Sequence, residues 1–424
     1  MPQSNKKAKL SQKENGTSVA ETSGFPYCNP YFECDIIKDK VVKSMQIPIL
    51  IEPDYERSAW AQIVLNGIRT EALKLKYKVC MLDSSSYTTL DWDSFFENGE
   101  RMVLVLAPSI FWAPRMLSYF EEQNISVILI VFDPSETAPV RGLVRMDYVH
   151  AMEQLLRYLE GCGRKRIALY GVNPTYFVDD LKTSCFKSWN SAHETSIYPA
   201  YASLSECFDS FLPHARSYDA VICSNATVAL SLVQHLGQHS IRVPEDLYVA
   251  SFGYNKLSES ISPSITCVTL NYEEVGRQSV RLYSWLIRQK PCSNVSVRVR
   301  SHLMIRESTA LQSPAASEAK SSLATSPSVP KDVYLYCDPE AKRLQAIESI
   351  LNICDETDEQ LIQGLLNQQT NAQLEENLFL SSYALRYRLK RLMSLANCEH
   401  KHELLEFLTF YRKTVSKEQK NICS

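Results

Sequence analysis

The first three hundred residues alternate short apolar runs with longer amphipathic stretches. Continuous apolar runs predict strands buried on both faces, and apolar residues three or four apart predict helices. This pattern predicts strands at 47–53, 78–82, 102–108, 125–133, 166–171, 196–201, 218–224 and 247–253, and helices at 59–74, 113–123, 148–161, 178–192 and 226–237. Strands that alternate with helices indicate βα units around parallel sheets.

The predicted strands fall into two groups, one before and one after about residue 145. Two groups of the same kind predict an α/β fold of two parallel-sheet lobes. Ligands of open parallel sheets bind beyond the carboxyl ends of the strands. The sequence therefore predicts a binding site in the cleft between the lobes.

The polar pattern changes at both ends of this region. Residues 1–44 begin with a polar stretch without periodicity, which predicts a disordered tail and lead-in to the domain at 45–310. Residues 311–332 are dominated by Ser, Ala and Pro, which is typical of a linker. The segment 333–424 follows, with helical patterns throughout, and is expected to form a small all-α bundle.

Within that bundle, helix-start patterns predict the element boundaries. Residues Ala341, Leu344, Ile347, Ile350 and Leu351 recur at helical spacing. Capping boxes at 357–360 and 370–373 predict a second helix from Asp358 and a third after Thr370. Ser381 is predicted to cap a fourth helix that runs to about Leu395. Residues 399–411 are predicted to form a fifth helix.

The fourth helix carries a candidate DNA-binding face. Leu385, Leu389 and Leu392 define its buried stripe, and the bases Arg386, Arg388, Lys390 and Arg391 lie outside that stripe. The segment 355–378 has six acids and no base. Such charge segregation suits a helix that faces phosphates, although a solvated basic face is the alternative interpretation.

Residues 364–405 resemble the LuxR-type (GerE) helix-turn-helix. Asn371, Leu374, Leu378, Leu380, Ser381, Leu385 and Arg386 match the family pattern in register. Glu375 stands where the family has a small Ala, and Ala384 where it has a Thr. The resemblance implies a recognition helix at 382–393 that binds double-stranded DNA, with the contacting residues Ser382, Tyr383, Arg386, Tyr387, Arg388, Lys390 and Arg391.

Residues 45–310 resemble the effector domain of the lactose/galactose-repressor family, a fold similar to type I periplasmic binding proteins. The V-P-E-D segment Val243–Asp246, the preceding YDAVICSNA (218–226) and the closing RESTA (306–310) carry this resemblance. It implies a ligand-sensing regulator that works as a homodimer and binds a sugar-like small-molecule effector. The family places its DNA-binding domain ahead of this region, whereas here the helix-turn-helix follows it, as in xylose-type regulators.

The family's cleft suggests candidate effector-binding residues in this chain: Tyr55, Arg57, Ser58, Trp60, Asp147, Lys182, Asn225 and Tyr254. Two acidic positions of the family are lost, since Ala226 replaces one carboxylate and Gly253-Tyr254 replaces a pair. Carboxylates accept hydrogen bonds from vicinal sugar hydroxyls, so these changes argue against an ordinary hexose. A ligand that stacks on aromatic rings, or a cleft that binds no ligand, is the expectation instead.

Composition narrows the remaining possibilities. The net charge of −3 gives no global nucleic-acid signature, and the 13 cysteines lack metal-ligand spacing, as expected of free thiols in a reducing cytoplasm. No catalytic motif, cofactor loop, metal site or membrane-length apolar run occurs. The sequence thus predicts a regulator that is not an enzyme. The alternatives are a solute-binding protein of a transporter and a regulator that acts through protein contacts without a ligand.

Overall fold

The computed structural model describes residues 46–415, apart from residues 54, 56–57, 97–100, 110–111, 132–139, 174–175, 190–195, 202, 290–293 and 311–337. The predicted disordered tail and linker therefore lie outside the described residues. The described chain forms two lobes, each built on a six-stranded sheet, followed by a group of five helices. The predicted fold class is confirmed.

The first lobe contains a parallel sheet whose four inner strands are buried along almost their whole length. Its strand order is β2-β1-β3-β4-β5-β11, comprising β1 (Gln46–Ile51), β2 (Lys78–Leu82), β3 (Met102–Ala107), β4 (Ser126–Val131), β5 (Val140–Met146) and β11 (Val295–Val299). The helices that accompany it are α1 (Ala59–Lys74), α2 (Trp92–Phe95), α3 (Trp112–Glu122) and α9 (Tyr272–Leu286). Residues 59–74 and 78–82 have the predicted bounds.

The second lobe repeats this architecture. Its strand order is β7-β6-β8-β9-β10-β12, comprising β6 (Ile167–Val172), β7 (Ile197–Pro199), β8 (Ala220–Cys223), β9 (Tyr248–Phe252), β10 (Thr266–Thr269) and β12 (His302–Met304), with only β12 antiparallel. The helices are α4 (Tyr148–Gly161), α5 (Phe177–Trp189), α6 (Leu204–Phe211), α7 (Ala226–Gln238) and α8 (Lys256–Ser260).

The chain crosses between the lobes three times. It leaves the first lobe after β5, returns after β10 to build α9 and β11, and leaves again to build β12. The prediction of a single division near residue 145 was therefore incomplete. Sequence periodicity cannot show this return, because strand pairing between residues 150 apart leaves no local pattern.

The backbones of helices α1 and α9 lie very close together where the two helices cross. A Cβ atom at Gly67 would come within 2.0 Å of the Glu273 carbonyl oxygen, and one at Gly276 within 2.0 Å of the Val64 carbonyl oxygen. Only glycine fits where two backbones approach this closely. The two glycines thus fix the returning helix against the first helix of the chain.

The C-terminal helices are α10 (Pro339–Ile353), α11 (Glu356–Leu366), α12 (Asn371–Asn377), α13 (Ser382–Leu395) and α14 (Lys401–Val415). The predicted caps Thr370 and Ser381 are confirmed, since their side chains accept hydrogen bonds from Gln373 and Ala384 N–H. The predicted capping box at 357–360 is wrong. Asp355 and Asp358 form the box instead, two residues earlier, because an aspartate side chain competes well for a helix N-terminus.

Among the described residues, no helix is both long enough and apolar enough to cross a membrane.

Candidate functional site

Aromatic side chains meet where the lobes face each other. Tyr55 and Trp60 follow β1, and their ring centroids lie 6.1 Å apart. Tyr55 also lies 6.5 Å from Tyr176, and Trp60 lies 5.8 Å from Tyr272. The carboxyl ends of parallel strands and the crossovers between lobes bring these residues together, as the sequence predicted for Tyr55 and Trp60. Tyr176 and Tyr272 were not predicted.

The two lobes touch across this aromatic group. Ser109, in the loop after β3, forms an isolated antiparallel bridge with Tyr176, which precedes α5. The hydroxyl oxygens of Tyr148 on α4 and Tyr272 on α9 are 3.3 Å apart. One contact belongs to strand-end loops and the other to the crossovers. The described lobes are therefore in direct contact at these two places.

Lys182, predicted to clamp ligand oxygens, is buried and bound within the chain. Its Nζ donates to Asp179 Oδ1 at 2.7 Å and to the Ser224 carbonyl oxygen at 2.8 Å. The same Nζ lies 4.8 Å from the centre of the Phe252 ring. Asp179 also accepts from the Asn173 N–H at 2.9 Å. The ammonium group is thus neutralised inside the second lobe, as a buried charge requires.

Three other predicted cleft residues make local hydrogen bonds, and two of them cap helices. Asp147 accepts from the His150 N–H at the start of α4, and Asn225 accepts from the Val228 N–H at the start of α7. The Ser58 hydroxyl donates to the Tyr55 carbonyl oxygen at 2.8 Å. Each of these three side chains thus has a hydrogen-bond partner within the chain.

The remaining predicted residues differ in position. Arg57 lies outside the described residues. Tyr254 is half exposed, and the Arg306 guanidinium lies 5.6 Å from the centre of its ring. Arg306 itself donates to the Ile265 carbonyl oxygen. This places Tyr254 beside the edge of the second sheet that carries β12.

A buried carboxylate in the first lobe was not predicted from the sequence. Glu52 directly follows β1 and accepts hydrogen bonds from the Ser109 N–H, at 3.0 Å, and from the Ser109 hydroxyl. Both residues stand at carboxyl ends of neighbouring parallel strands. That position in the sequence was the available signal.

Helices α12 and α13 are joined by a tight turn and form a helix-turn-helix. In the turn, Phe379 has a φ of +52° and the Leu380 N–H donates to the Glu375 carbonyl oxygen at 3.0 Å. Leu374 and Leu385 are buried in one hydrophobic cluster. Glu375 is half buried beside Leu374, so the crossing forms with a glutamate at that position.

The outward face of α13 leaves five of the seven predicted DNA-binding residues accessible. Tyr383 and Tyr387 are 77% and 56% exposed, four residues apart on one face. Ser382, Arg386 and Lys390 are also exposed. The Arg386 Nε atom donates to the Ser382 carbonyl oxygen at 3.1 Å, which leaves the other guanidinium donors facing outward. This face offers two cations, two phenol rings and a hydroxyl.

Arg388 and Arg391, the other two predicted DNA-binding residues, pair with carboxylates of the same chain. Arg388 Nη1 donates to Asp355 and, at 2.7 Å, to Asp358. Arg391 Nη2 binds Asp358 and the Ile353 carbonyl oxygen. The Asp358 side chain is fully buried, so it requires these cations. The two arginines tie α13 to the preceding helices.

The hydrogen bonds of this ion network shift the pKa values of Arg388 and Asp355. Hydrogen bonds to Asp358 and Asp355 raise the pKa of Arg388. Partial burial opposes ionisation of Asp355, but hydrogen bonds from Arg388 and from the Asp358 N–H outweigh it and lower the pKa of that carboxyl. Both shifts favour the charged forms of Arg388 and Asp355. In the described part of the chain, no three His, Cys, Asp or Glu side chains group as a metal site.

Comparison with known proteins supports the two-lobed fold. Residues 156–309 match the model of the periplasmic binding protein-like domain. A transcriptional regulator solved as the CelR–cellobiose complex superposes with a TM-score of 0.53 at 18% identity, covering 62% of this chain and 84% of that one. At this identity the likeness is one of fold.

Sequence relatives share part of the chain. The HTH-type transcriptional repressor PurR of Histophilus somni is 27% identical over 103 residues, which are 24% of this chain and 31% of that protein. Catabolite control protein A of Staphylococcus epidermidis is 24% identical over 177 residues, 39% of this chain and 52% of that protein. The chain thus aligns with about half or less of these relatives. Their names are those of regulators, not enzymes.

Proposed function

We propose that this chain is a DNA-binding transcriptional regulator in which a two-lobed sensor domain binds a small-molecule effector and controls the C-terminal helix-turn-helix. The proposal is supported by the fold and by the names of the relatives. The observation that carries it is the outward face of α13, where Tyr383, Arg386, Tyr387 and Lys390 are exposed on a capped helix. Arginine and lysine bind phosphates, and arginine can also read guanine in the major groove.

The helix-turn-helix is proposed to be of the LuxR (GerE) type. The capping box of Thr370, the left-handed turn residue Phe379 and the cap Ser381 support this assignment, because they fix both helix starts and the turn. Ser382, Tyr383, Arg386, Tyr387 and Lys390 are the proposed DNA contacts. Arg388 and Arg391 are proposed to orient the recognition helix instead.

A homodimer is proposed on the basis of exposed apolar groups in the first lobe. Ile63, Leu73 and Leu75 on and after α1, and Met81 on the edge strand β2, are between 37% and 79% exposed. A second copy that covers this surface would bury these side chains. A two-fold dimer would read two half-sites roughly 10 base pairs apart or a multiple of that spacing.

The proposed effector site is the cleft between the lobes at Tyr55, Trp60, Tyr176 and Tyr272. Its aromatic rings favour a ligand with a flat or apolar face. Such a ligand enters when the Ser109–Tyr176 bridge opens. We place the protein in the cytoplasm, where DNA is accessible.

The test is selection of duplexes from a random library by the full-length protein, followed by fluorescence anisotropy against salt. We expect selected duplexes to bind at least about a hundredfold more tightly than random duplex of the same length. The double variant Arg386→Met/Lys390→Met should lose this preference, and Glu406→Gln, an exposed change on α14, should keep it. Equal affinity of the wild-type protein for selected and random duplexes would refute the proposal.

A second candidate function is a regulator that senses no small molecule. It is favoured by the hydrogen bonds of Lys182, Asp147 and Asn225, which all have partners within the chain. A thermal-shift screen of sugars, nucleosides and amino acids separates the two. One compound that raises the melting temperature in a saturable way supports the effector and excludes the second candidate.

A further inference from the structure

Helix α10 is packed on the second lobe of the sensor. Its residues Leu344, Ile347 and Ile350 are at most 1% exposed. They share one hydrophobic cluster with Leu236 of α7 and Leu257 of α8. The first helix after the linker is therefore part of the core of that lobe.

Two carboxylates of this segment cap helices of the lobe. The Glu348 carboxylate accepts from the N–H groups of Lys256 and Leu257, each at 3.0 Å, at the first turn of α8. Asp338, which caps α10, also accepts from the Leu204 N–H at 3.2 Å, at the start of α6. Lys256 returns a bond from its Nζ to the Leu351 carbonyl oxygen at 2.9 Å. Helix N-termini favour anions, so these bonds are well matched.

The capped helix α8 is next to the cleft in the chain. It begins four residues after Phe252, the last residue of β9. Phe252 lies under the Lys182 ammonium and 6.5 Å from Tyr148, which contacts Tyr272 of the first lobe. The turn between Phe252 and α8 contains Gly253, with a φ of +70°. Only the three residues of this turn separate Phe252 from Lys256, whose N–H group Glu348 binds.

The other end of α10 contacts the recognition helix. Its last residue, Ile353, accepts a hydrogen bond from Arg391 of α13 at 3.0 Å. Leu385 and Leu392 of α13 lie in the same cluster as Ile347 and Ile350. One helix therefore contacts the second lobe along its length and the recognition helix at its end.

We propose that α10 is a rigid coupler that makes the recognition helix an extension of the second lobe, with Glu348 as its positioning residue. Opening or closing of the cleft then rotates the recognition helix together with that lobe. In a dimer, this rotation changes the distance between the two recognition helices. The inference rests on the proposed function and names the route by which the sensor controls DNA binding.

The experiment compares full-length wild-type protein with Glu348→Gln, Glu348→Lys and the control Glu406→Gln. DNA affinity is measured on a duplex selected by the wild-type protein, and on the same duplex with five base pairs inserted between its half-sites. Rigid recognition helices cannot follow a half-turn insertion, so we expect the wild type and the control to lose on the order of a hundredfold. Glu348→Lys should lose less than about tenfold, because an uncoupled bundle can reorient.

The measured quantity is the ratio of the affinities for the two duplexes. Destabilisation alone is not expected to change it, because both affinities are measured on the same folded protein. Hydrogen exchange supplies a readout without DNA. If α10 is a coupler, amide hydrogen exchange in α8 (residues 256–260) and in α13 (residues 382–395) rises together in Glu348→Lys. In Glu348→Gln we expect a smaller rise in both helices.

Two results overturn the coupler and leave the proposed function intact. One is an increase in hydrogen exchange that is confined to residues 256–260. The other is an equal loss of affinity for the five-base-pair insertion in the wild type and in Glu348→Lys. Selection of a single half-site also overturns it. Failure of the wild type to prefer any duplex refutes the proposed function, and the exchange result alone then decides whether the two helices are coupled.

Discussion

The cleft and the outward face of α13 were both predicted from family resemblance, but the structure uses their polar residues differently. In the cleft, Lys182, Asp147 and Asn225 are bound to groups of the same chain. On α13, Tyr383, Arg386 and Lys390 remain exposed. A buried charge must find a partner, whereas an exposed one can wait for a ligand. Burial thus accounts for the pairing of Lys182 with Asp179, whereas Asp147 and Asn225 are only partly buried and are bound to the helix starts that they cap.

The same rule divides α13 itself. Arg386 and Lys390 face outward, while Arg388 and Arg391 face a buried carboxylate. Four basic residues that look equivalent in sequence thus lie in two different environments.

The largest effect is expected from the buried anchor of α13. Asp358→Asn should lower the free energy of unfolding by about 3–5 kcal/mol, because it leaves Arg388 and Arg391 without their central partner. Urea unfolding followed by helical circular dichroism measures this change. Glu356→Gln, an exposed change on the same helix, is the control and should cost below about 0.5 kcal/mol. If the two variants lose similar stability, the distinction between anchored and free arginines is wrong.

Lys182 provides the matching test in the cleft. Lys182→Met should cost about 3 kcal/mol of stability, because Asp179 is then buried without its cation. Adding Asp179→Asn should recover more than about 1 kcal/mol of that loss in a double-mutant cycle. A ligand clamp would behave otherwise. A variant that unfolds like the wild type but loses a thermal shift with a screened compound would restore the original prediction for Lys182.

An intermediate effect is expected on DNA. Arg386→Met or Lys390→Met should each weaken binding to a selected duplex by about tenfold and reduce the slope of log affinity against log salt by about 1 per site. Arg388→Met should leave the slope unchanged, since its charge is bound to Asp355 and Asp358. Anisotropy titrations at several salt concentrations measure both quantities. A slope that falls equally for Arg388→Met would show that this arginine reaches phosphate.

The smallest effect is expected for the ion pair of Arg242 and Asp246, which belongs neither to the cleft nor to α13. Hydrogen bonds from Arg242 lower the pKa of Asp246 to about 2. The pair therefore contributes stability above the ordinary aspartate pKa, and this contribution disappears as the pH falls towards 2. Because Arg242 is 68% exposed, Asp246→Asn should cost below about 1 kcal/mol at pH 7, and this cost should shrink steadily as the pH falls towards 2. Unfolding of both proteins across this pH range checks the sign, and a cost that grows on acidification would contradict it.

Local patterns predicted much of the molecule. Apolar runs located most strands of both sheets, and the caps Thr370 and Ser381 were correct because capping depends on residues three apart. The return of β11 to the first sheet could not be predicted in this way. Its partner β5 lies about 150 residues earlier in the chain.

Contacts between site residues that are far apart in the chain could not be predicted from local patterns either. Arg388 and Asp355 are 33 positions apart, so their ion pair leaves no local signal. The pair of Lys182 and Asp179 did leave one, because residues three apart share a helix face. Tyr148 and Tyr272 meet only because two crossovers lie side by side.

The caps that Asp338 and Glu348 supply also set an order of events during synthesis. Strands β6 to β12 of the second lobe leave the ribosome before either carboxylate does, since both follow residue 337. Until then the first N–H groups of α8 lack the Glu348 acceptor, and the apolar surface that α10 covers faces water. A nascent chain stopped before residue 338 should therefore bind chaperones more than the finished protein does.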